Sequence, residues 1–548
     1  MIFRKLCSDY VQKHRRLFYS YIAISSFSYL VRIIITPMIY TNIMSISSDN
    51  FGETMKQIGM LWCLIGVIYI VKSRMENQLF PAFLSFIRQR LLRLFLEKNK
   101  TNFNDSNVST DITRIFEVTR YMRDLFGWVV QSVIPMLILT GCINMYFFYK
   151  IPAMGMVNLV CNTTIGWYIN KNYQHLIDNS NKRENKYMGM VTKLDENFNN
   201  LLNIYLNNQM EQTLTENETI EKEYIDIYRK QNEEVMNFTN NLKLITYVFA
   251  FMCLYIVYRS GSLQTSSKEF ISILLIFTFY ISTLENLSED VPNYMMVIGN
   301  IMNAEPFLEG AVFTEKKKVD KGVLDEEKDD ISVPSALFRG NIRFDGISFR
   351  YNDVYVFKDF SLDIHQGQRI GILGKTGKGK STLMKLLLNF YPLESGAILL
   401  DGKELKEWDV DEVRSQVNYV NQKTNLFNDT ILNNMRYGND ASDEEVLRVL
   451  LDYDLLKVFG PDVTALDKVV EKNGANISMG MQKTIFLVRG VLKDCSVFVF
   501  DEPFSGIDQR TRESVLRMID ERTKGKTVLV ITHDRAGLET ILDKMIEL

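Results

Sequence analysis

Several protein classes are excluded by what this 548-residue sequence lacks. Its six cysteines, Cys7, Cys63, Cys142, Cys161, Cys253 and Cys495, include no C-x-x-C pair. Most lie inside apolar runs, which argues for core or membrane packing and against a disulfide framework or a thiolate metal site. The four histidines, His14, His175, His365 and His533, are not spaced as a ligand cluster. Positive charge is also missing as an excess: 63 Lys and Arg face 66 Asp and Glu. No strongly basic surface argues for nucleic acid. The mean hydropathy near zero resembles that of a soluble chain, but it averages two unlike halves. The length calls for at least two domains.

The first half is built on apolar runs. Residues 1–16 carry Arg4, Lys5, Lys13, Arg15 and Arg16, and Leu17–Met44 is then too long for the core of a cleavable signal. It reads as a first transmembrane helix with a cytosolic N-terminus. Further apolar stretches fall at Ile58–Val71, Leu125–Tyr149, Ile151–Ile169, Leu242–Tyr258 and Phe270–Leu284, six spans in all. Ser45–Gln57, the turn near Lys150 and Arg259–Lys268 are short and hold few basic residues. Arg88–Arg123 and Lys171–Asn241 are long and hold many more. The positive-inside rule puts the long segments in the cytosol, where helical periodicity predicts helices that leave the membrane and bend back. Arg32 in the first span and Glu285 in the sixth are costly in lipid. Two readings stay open, a structural pair between them and an Arg32 that faces a substrate. Mixed charge at Glu315–Asp330 marks a linker. The expected domains are a cytosolic segment 1–16, a transmembrane domain 17–310, a linker 311–337 and a C-terminal domain 338–548, whose residues, read next, point to ATP binding.

The second half is organised around Gly374–Thr382 (Gly374, Lys375, Thr376, Gly377, Lys378, Gly379, Lys380, Ser381, Thr382), which fits G-x-x-x-x-G-K-[ST]. A short buried strand, Arg369–Leu373, precedes it and a helix-prone run, Leu383–Phe390, follows. Such a loop points successive backbone N–H groups at an anion, and the helix N-terminus adds partial positive charge. Lys380 is then expected on the terminal phosphates of ATP and the Ser381 hydroxyl on Mg2+. Short strands are predicted at Ile342–Tyr351, Phe357–Ile364, Ala397–Asp401, Val497–Phe500 and Thr527–Thr532, an α/β layout. The apolar strand Val497–Phe500 ends in Asp501, a candidate for holding magnesium, and Glu502, a candidate for polarising the attacking water. Thr527–Thr532 ends at His533, a candidate contact for the γ-phosphate.

With these residues in place, 338–548 resembles the nucleotide-binding domain of ABC transporters. With six spans in front, the chain looks like an exporter-type half-transporter. The resemblance implies an α-helical transmembrane bundle with long cytosolic extensions, followed by an α/β P-loop NTPase domain with an ABC-type helical subdomain. It implies adenine stacking for Tyr351, magnesium and water contacts for Gln422, and a D-loop role for Asp508. Leu426, Phe427, Asp429, Thr430 and Ile431 resemble the stretch that lies under the family's coupling helices. That tract and Phe390–Gly396 also look similar to mitochondrial-type half-transporters for glutathione-linked or iron-sulfur-related species.

The family signature L-S-G-G-Q is altered to Ile477, Ser478, Met479, Gly480 and Met481. Ser478 and Gly480 remain and are expected to hold the γ-phosphate bound to an opposite subunit. The two methionines add bulk there. The resemblance also implies strands and a helix beyond His533, so with Leu548 as its last residue the chain is expected to lack some C-terminal subunit contacts.

The implied function is ATP-driven export by two half-transporters in a lipid bilayer, with ATP and Mg2+ sandwiched between subunits. The ATP-binding domain then lies on the cytosolic or organelle-matrix side. A homodimer is the simpler assembly, and a heterodimer is the alternative. Arg32 in a cavity suits an anionic substrate. A hydrolysis-poor sensor or regulatory subunit, or a nucleotide-gated channel on the same scaffold, stays open.

Overall fold

A computed structural model describes residues 2–43, 51–101, 108–259, 267–304, 338–351, 353–374, 377–421, 425–535 and 537–548. Lys375, Thr376, Gln422, the boundary at 310 and the whole linker 311–337 lie outside the described residues. The chain divides into two units, Met1–Lys98 with Asn104–Thr314, and Asn99–Phe103 with Glu315–Leu548.

The first unit is helical. It runs through α1 (Ile2–Lys13), α2 (Arg15–Leu30), α3 (Thr36–Ile43), α4 (Phe51–Lys98), α5 (Val108–Trp128) and α6 (Ile134–Lys150). Next come α7 (Pro152–Asn199), the short α8 (Leu201–Leu206), α9 (Met210–Arg259) and α10 (Ser267–Ala304). At 1.5 Å per residue, the 48 residues of α7 and 50 of α9 run to roughly 70–75 Å, well beyond a bilayer core of about 30 Å. Their distal ends carry Lys186–Glu223 pairing and an Asn197–Asn217 hydrogen bond of 3.1 Å, polar links of a kind suited to water.

Among the described residues, five helical stretches are long and apolar enough to cross a membrane: Arg15–Thr41, Phe51–Lys98, Ile112–Lys150, Met210–Arg259 and Phe270–Ala304. The sequence expectation of a span at Ile151–Ile169 falls on α7, which is continuous there but short of that hydropathy. Asn158 and Asn162 are part of the reason, and both are turned to partners. Buried Asn158 donates to Asn144 Oδ1 at 2.7 Å, and Tyr280 donates to Asn162 Oδ1 at 2.8 Å. Paired in this way, polar side chains are tolerated where lipid offers no hydrogen bonds. The outer face of α4 is the opposite case, with Met60, Trp62, Val67, Tyr69 and Ile70 all exposed, as a lipid-facing surface requires.

Among the described residues, two π-helical turns interrupt the bundle, Val31–Ile35 between α2 and α3 and Val129–Val133 between α5 and α6. Both carry polar residues, Arg32 in the first and Gln131 and Ser132 in the second, and π turns of this sort concentrate at functional positions.

The second unit holds two sheets. One is antiparallel in the order β2 (Val354–Ile364), β1 (Ile342–Tyr351), β4 (Ser395–Leu400), β5 (Lys403–Glu404). The other is parallel in the order β6 (Val417–Val420), β7 (Val497–Asp501), β8 (Thr527–Thr532), β3 (Arg369–Leu373), β9 (Lys544–Glu547). Every residue of β7 and β8 is buried, as parallel strands covered on both faces must be. Helices α11 (Lys380–Leu387), α12 (Val410–Gln416), α13 (Ile431–Arg436), α14 (Asp443–Asp452), α15 (Met479–Val491) and α16 (Gln509–Arg522) complete the unit. Ser442 and Glu445 form a reciprocal cap at the start of α14, and Thr430 caps α13. Helices α13, α14 and α15 share one core with Phe498 and Phe500 of β7. Burying such rings contributes about 1.5–3 kcal/mol each.

Candidate functional site: the phosphate loop and its acidic strand

The carboxyl ends of β3, β7 and β8 converge, which is where parallel α/β sheets bind ligands. Out of β3 the chain enters the glycine loop, whose Gly377 and Gly379 take φ of 88° and 90°. A Cβ on Gly379 would lie 2.5 Å from Val356 Cγ1 and 3.0 Å from Phe357 Cζ, so strand β2 closes the space over the loop. Gly379 also caps α11, aiming that helix's N-terminal end at the loop. Lys380 is nearly buried, and its ammonium donates to the loop carbonyl of Gly374 at 2.6 Å.

Next in helix α11, Ser381 Oγ donates to Asp501 Oδ2 at 2.8 Å. Ser381 and Asp501, named from sequence on separate grounds, therefore meet. A hydroxyl and a carboxylate side by side are hard oxygen donors that fit Mg2+. Tyr419, at the end of β6, donates to the same Oδ2 at 2.7 Å. Burial, with the Asp501 charge beside it, pushes its phenol well above the usual tyrosine range.

Glu502 stands at φ 47°, a left-handed conformation that costs a non-glycine residue energy. Its N–H donates to Ile531 O at 2.8 Å, which ties the end of β7 to β8 and holds the strain. The carboxylate is then fully engaged. Thr532 Oγ1 donates to Oε2 at 3.1 Å, the His533 N–H donates to Oε1 at 3.1 Å, and His533 Nδ1 lies 2.7 Å from Oε1. Glu502 is nearly buried while the His533 ring is largely exposed.

Lys483 and Tyr419 escaped the sequence reading. Lys483 lies in α15, buried to 6% exposure, and donates to the Asp501 carbonyl at 3.2 Å. Burial lowers its pKa to about 8, against the pull of Asp501 and Glu502 in the other direction. No local motif marks either residue, and the one available signal was their place on elements flanking the acidic strand.

Ser478 begins α15 and caps it, its Oγ accepting from Met481 N at 3.2 Å. Met479 is 70% exposed and rests against Gly506, where a Cβ would lie 3.5 Å from its Cε. Gly480 packs toward the Gly506 carbonyl. Asp508 is consumed in capping α16, its Oδ1 accepting from Arg510 N at 3.1 Å and Thr511 N at 3.0 Å. Tyr351 is partly exposed, held edge-on by Phe349 and Tyr391. Lys378 is exposed and Thr382 half-buried in the first turn of α11.

In the helical unit, Arg32 and Glu285 are not brought together. Glu285 takes a hydrogen bond from Tyr247, while Arg32 lines a cavity of about 110 Å3 with Tyr29, Ser132, Ser282, Asn286 and Asp290. Both π turns contribute to that lining, through Arg32 and Ser132.

Residues 357–505 match the family model "ABC transporter". The ATP-dependent lipid A-core flippase of Sodalis glossinidius is 33% identical over 223 residues, 39% of this chain and 38% of that relative. The flippase of Hahella chejuensis is 34% identical over 229 residues, 41% and 39%. The mitochondrial iron-sulfur clusters transporter ATM1 of Saccharomyces cerevisiae is 38% identical over 207 residues, 37% and 30%. These matches thus span well under half the length of each relative. A solved bacterial Atm1-family ABC exporter with ATP bound has a TM-score of 0.82 at 17% identity, over 97% of this chain and 93% of that one. The chain is therefore a multi-pass membrane protein carrying an ABC transporter domain, with the fold of an exporter-type half-transporter.

Proposed function

We propose that the chain is one half of an ATP-driven exporter, in which two copies close on ATP and hydrolyse it to drive alternating access. The observation that carries this is the meeting, at one sheet edge, of the Ser381–Asp501 contact and the strained Glu502 held by Thr532 and His533. ATP is the substrate. The loop's backbone N–H groups and the α11 N-terminus receive its phosphates, and Lys380 exchanges the Gly374 carbonyl for a phosphate oxygen. Ser381 and Asp501, with Gln422, would hold Mg2+, which would supply positive charge against the phosphates. Glu502 accepts a proton as a water oxygen bonds to the γ-phosphorus. The bond to the β-phosphate bridging oxygen breaks, leaving ADP and phosphate. Thr532 keeps the carboxylate aimed, and His533 turns its ring from Glu502 to the γ-phosphate. ATP hydrolysis measured on the detergent-purified chain, with Glu502→Gln as control, tests the reading.

Dimerisation is supported by what a single chain leaves uncovered. Around α8, Phe198, Leu202, Tyr205 and Leu206 are each more than 60% exposed, although this turn belongs to the polar, water-exposed ends of α7 and α9. Water disfavours that patch, and a partner's nucleotide-binding domain would cover it. A second copy is the simplest partner, held across ATP through Ser478 and Gly480.

Met479 and Met481 favour a second reading, a hydrolysis-poor regulatory subunit. Met479, exposed at the start of α15, puts its bulk where a partner's triphosphate would dock, while Met481 packs partly against the core beneath. The double substitution Met479→Gly, Met481→Gln is expected to raise ATP turnover several-fold by allowing closer closure. An unchanged rate beside a detectable basal rate would show that the methionines do not limit it.

The cavity beside Arg32 is the proposed substrate site, suited to an anionic group. Arg32→Ala is expected to raise by about tenfold the concentration of an anionic compound needed for half-maximal stimulation of ATP hydrolysis. Equal loss of stimulated and unstimulated rates would make Arg32 structural.

A further inference from the structure

Asp501 Oδ2 receives two hydroxyl hydrogens, one from Ser381 at 2.8 Å and one from Tyr419 at 2.7 Å. A carboxylate oxygen offers two lone-pair directions, so this oxygen is saturated. Among the described residues no donor reaches Oδ1. The Tyr419 hydroxyl also lies 3.3 Å from Asn421 Oδ1, one residue before Gln422. Its ring packs on the same core as Val417, Val497 and Val499, so the hydroxyl is delivered by a rigid aromatic lever.

We propose that Tyr419 is a positioning residue for the metal-binding carboxylate. By occupying Oδ2 together with Ser381, its hydroxyl fixes the rotation of the Asp501 side chain and keeps Oδ1 directed away from protein donors and open to the cation or its bound water. The proposal rests on the ATP- and magnesium-binding reading above. Two features make the hydroxyl more than packing. It bridges the ends of β6 and β7, strands paired from Val417–Val497 to Val420–Phe500, and reaches Asp501 two residues beyond Val499, the pairing partner of Tyr419. It also shares its acceptor atom with the hydroxyl expected on the metal. Ser381 can present a lone pair to a cation while still donating its hydrogen to Oδ2, so both hydrogen bonds are compatible with an occupied site. Outer contacts of this kind orient ligands, and removing one weakens metal affinity by roughly tenfold or more.

The test uses the full chain in detergent with a non-hydrolysable ATP analogue and Mn2+ as the metal probe, free Mn2+ being read by electron paramagnetic resonance. Tyr419→Phe keeps the ring and removes the hydroxyl. It is expected to weaken Mn2+ binding about tenfold, while affinity for the analogue in EDTA and the melting temperature of the metal-free chain stay unchanged. Tyr419→Leu, which fills the same apolar space, is expected to show the same metal defect. Unaltered Mn2+ affinity in both variants would overturn the proposal. So would a loss of Mn2+ affinity that only tracks a loss of metal-free nucleotide binding and stability. If the unsubstituted chain takes up no Mn2+ with the analogue, the ATP-binding reading itself falls and the proposal falls with it. A negative result confined to the tyrosine variants leaves that reading standing.

Discussion

Glu502→Gln is expected to lower steady-state ATP hydrolysis by roughly 10²–10⁴-fold, the usual contribution of a positioned general base, with ATP binding retained. Glutamine has nearly the shape of glutamate, its oxygen can accept from the His533 N–H while its amide donates to the Thr532 hydroxyl, and the left-handed backbone at φ 47° with its tie to Ile531 persists. What it loses is the ability to accept the proton of the attacking water. Because binding survives while turnover stops, the closed two-chain state should accumulate. Purified Glu502→Gln protein is therefore expected to cross-link between copies in ATP far more than in its absence. Hydrolysis at an unreduced rate would remove Glu502 from the chemistry, and absence of any ATP-dependent association would count against the two-copy site.

Gly379→Val is expected to weaken ATP binding by about 5- to 150-fold, from 1–3 kcal/mol of backbone strain at a positive φ. Two costs coincide at this position. The backbone sits at φ 90°, and the new Cβ would point 2.5 Å from Val356 Cγ1. Val356 is β-branched and strand-bound, so it has little room to yield. The distortion falls on the residue that starts α11, so Lys380 and Ser381 are displaced together. A fluorescent ATP analogue titrated against the detergent-purified chain reads the effect. Wild-type affinity in the variant would mean that β2 does not wall the loop.

Much of the second unit was legible because its signals are local. The glycines of 374–382 specify loop backbone within a few residues, and the apolar runs before Asp501 and Thr532 specify buried parallel strands. Strand β6, only four residues long and polar at Asn418, carries no apolar run that would announce it. Short β9 was overlooked too; it gains its stability from pairing with β3 rather than from its own pattern. In the membrane half, apolar length announced helices, the first part of α7 at Ile151–Ile169 included, but not the distant partners of its asparagines, Asn144 for Asn158 and Tyr280 for the Asn162 oxygen. Arg32 shows the same limit. Its cost in lipid made it notable from sequence, yet its neighbours depend on two π turns that no residue pattern foretold.

The sequence by itself determined the order of the parts: apolar helices, a charged tract, a phosphate loop, an altered signature and an acidic strand followed by a histidine. Each of these rests on backbone preferences and side-chain chemistry that act within about ten residues. Only the tertiary structure decided which side chains face one another. The order β6-β7-β8-β3 brought Tyr419 to Asp501 across 82 positions and Ser381 to the same carboxylate across 120. It also stationed Lys483 behind Asp501 and closed Thr532 and His533 around Glu502. Strand order is set by packing of whole elements around one core, a collective choice that no short stretch of sequence encodes.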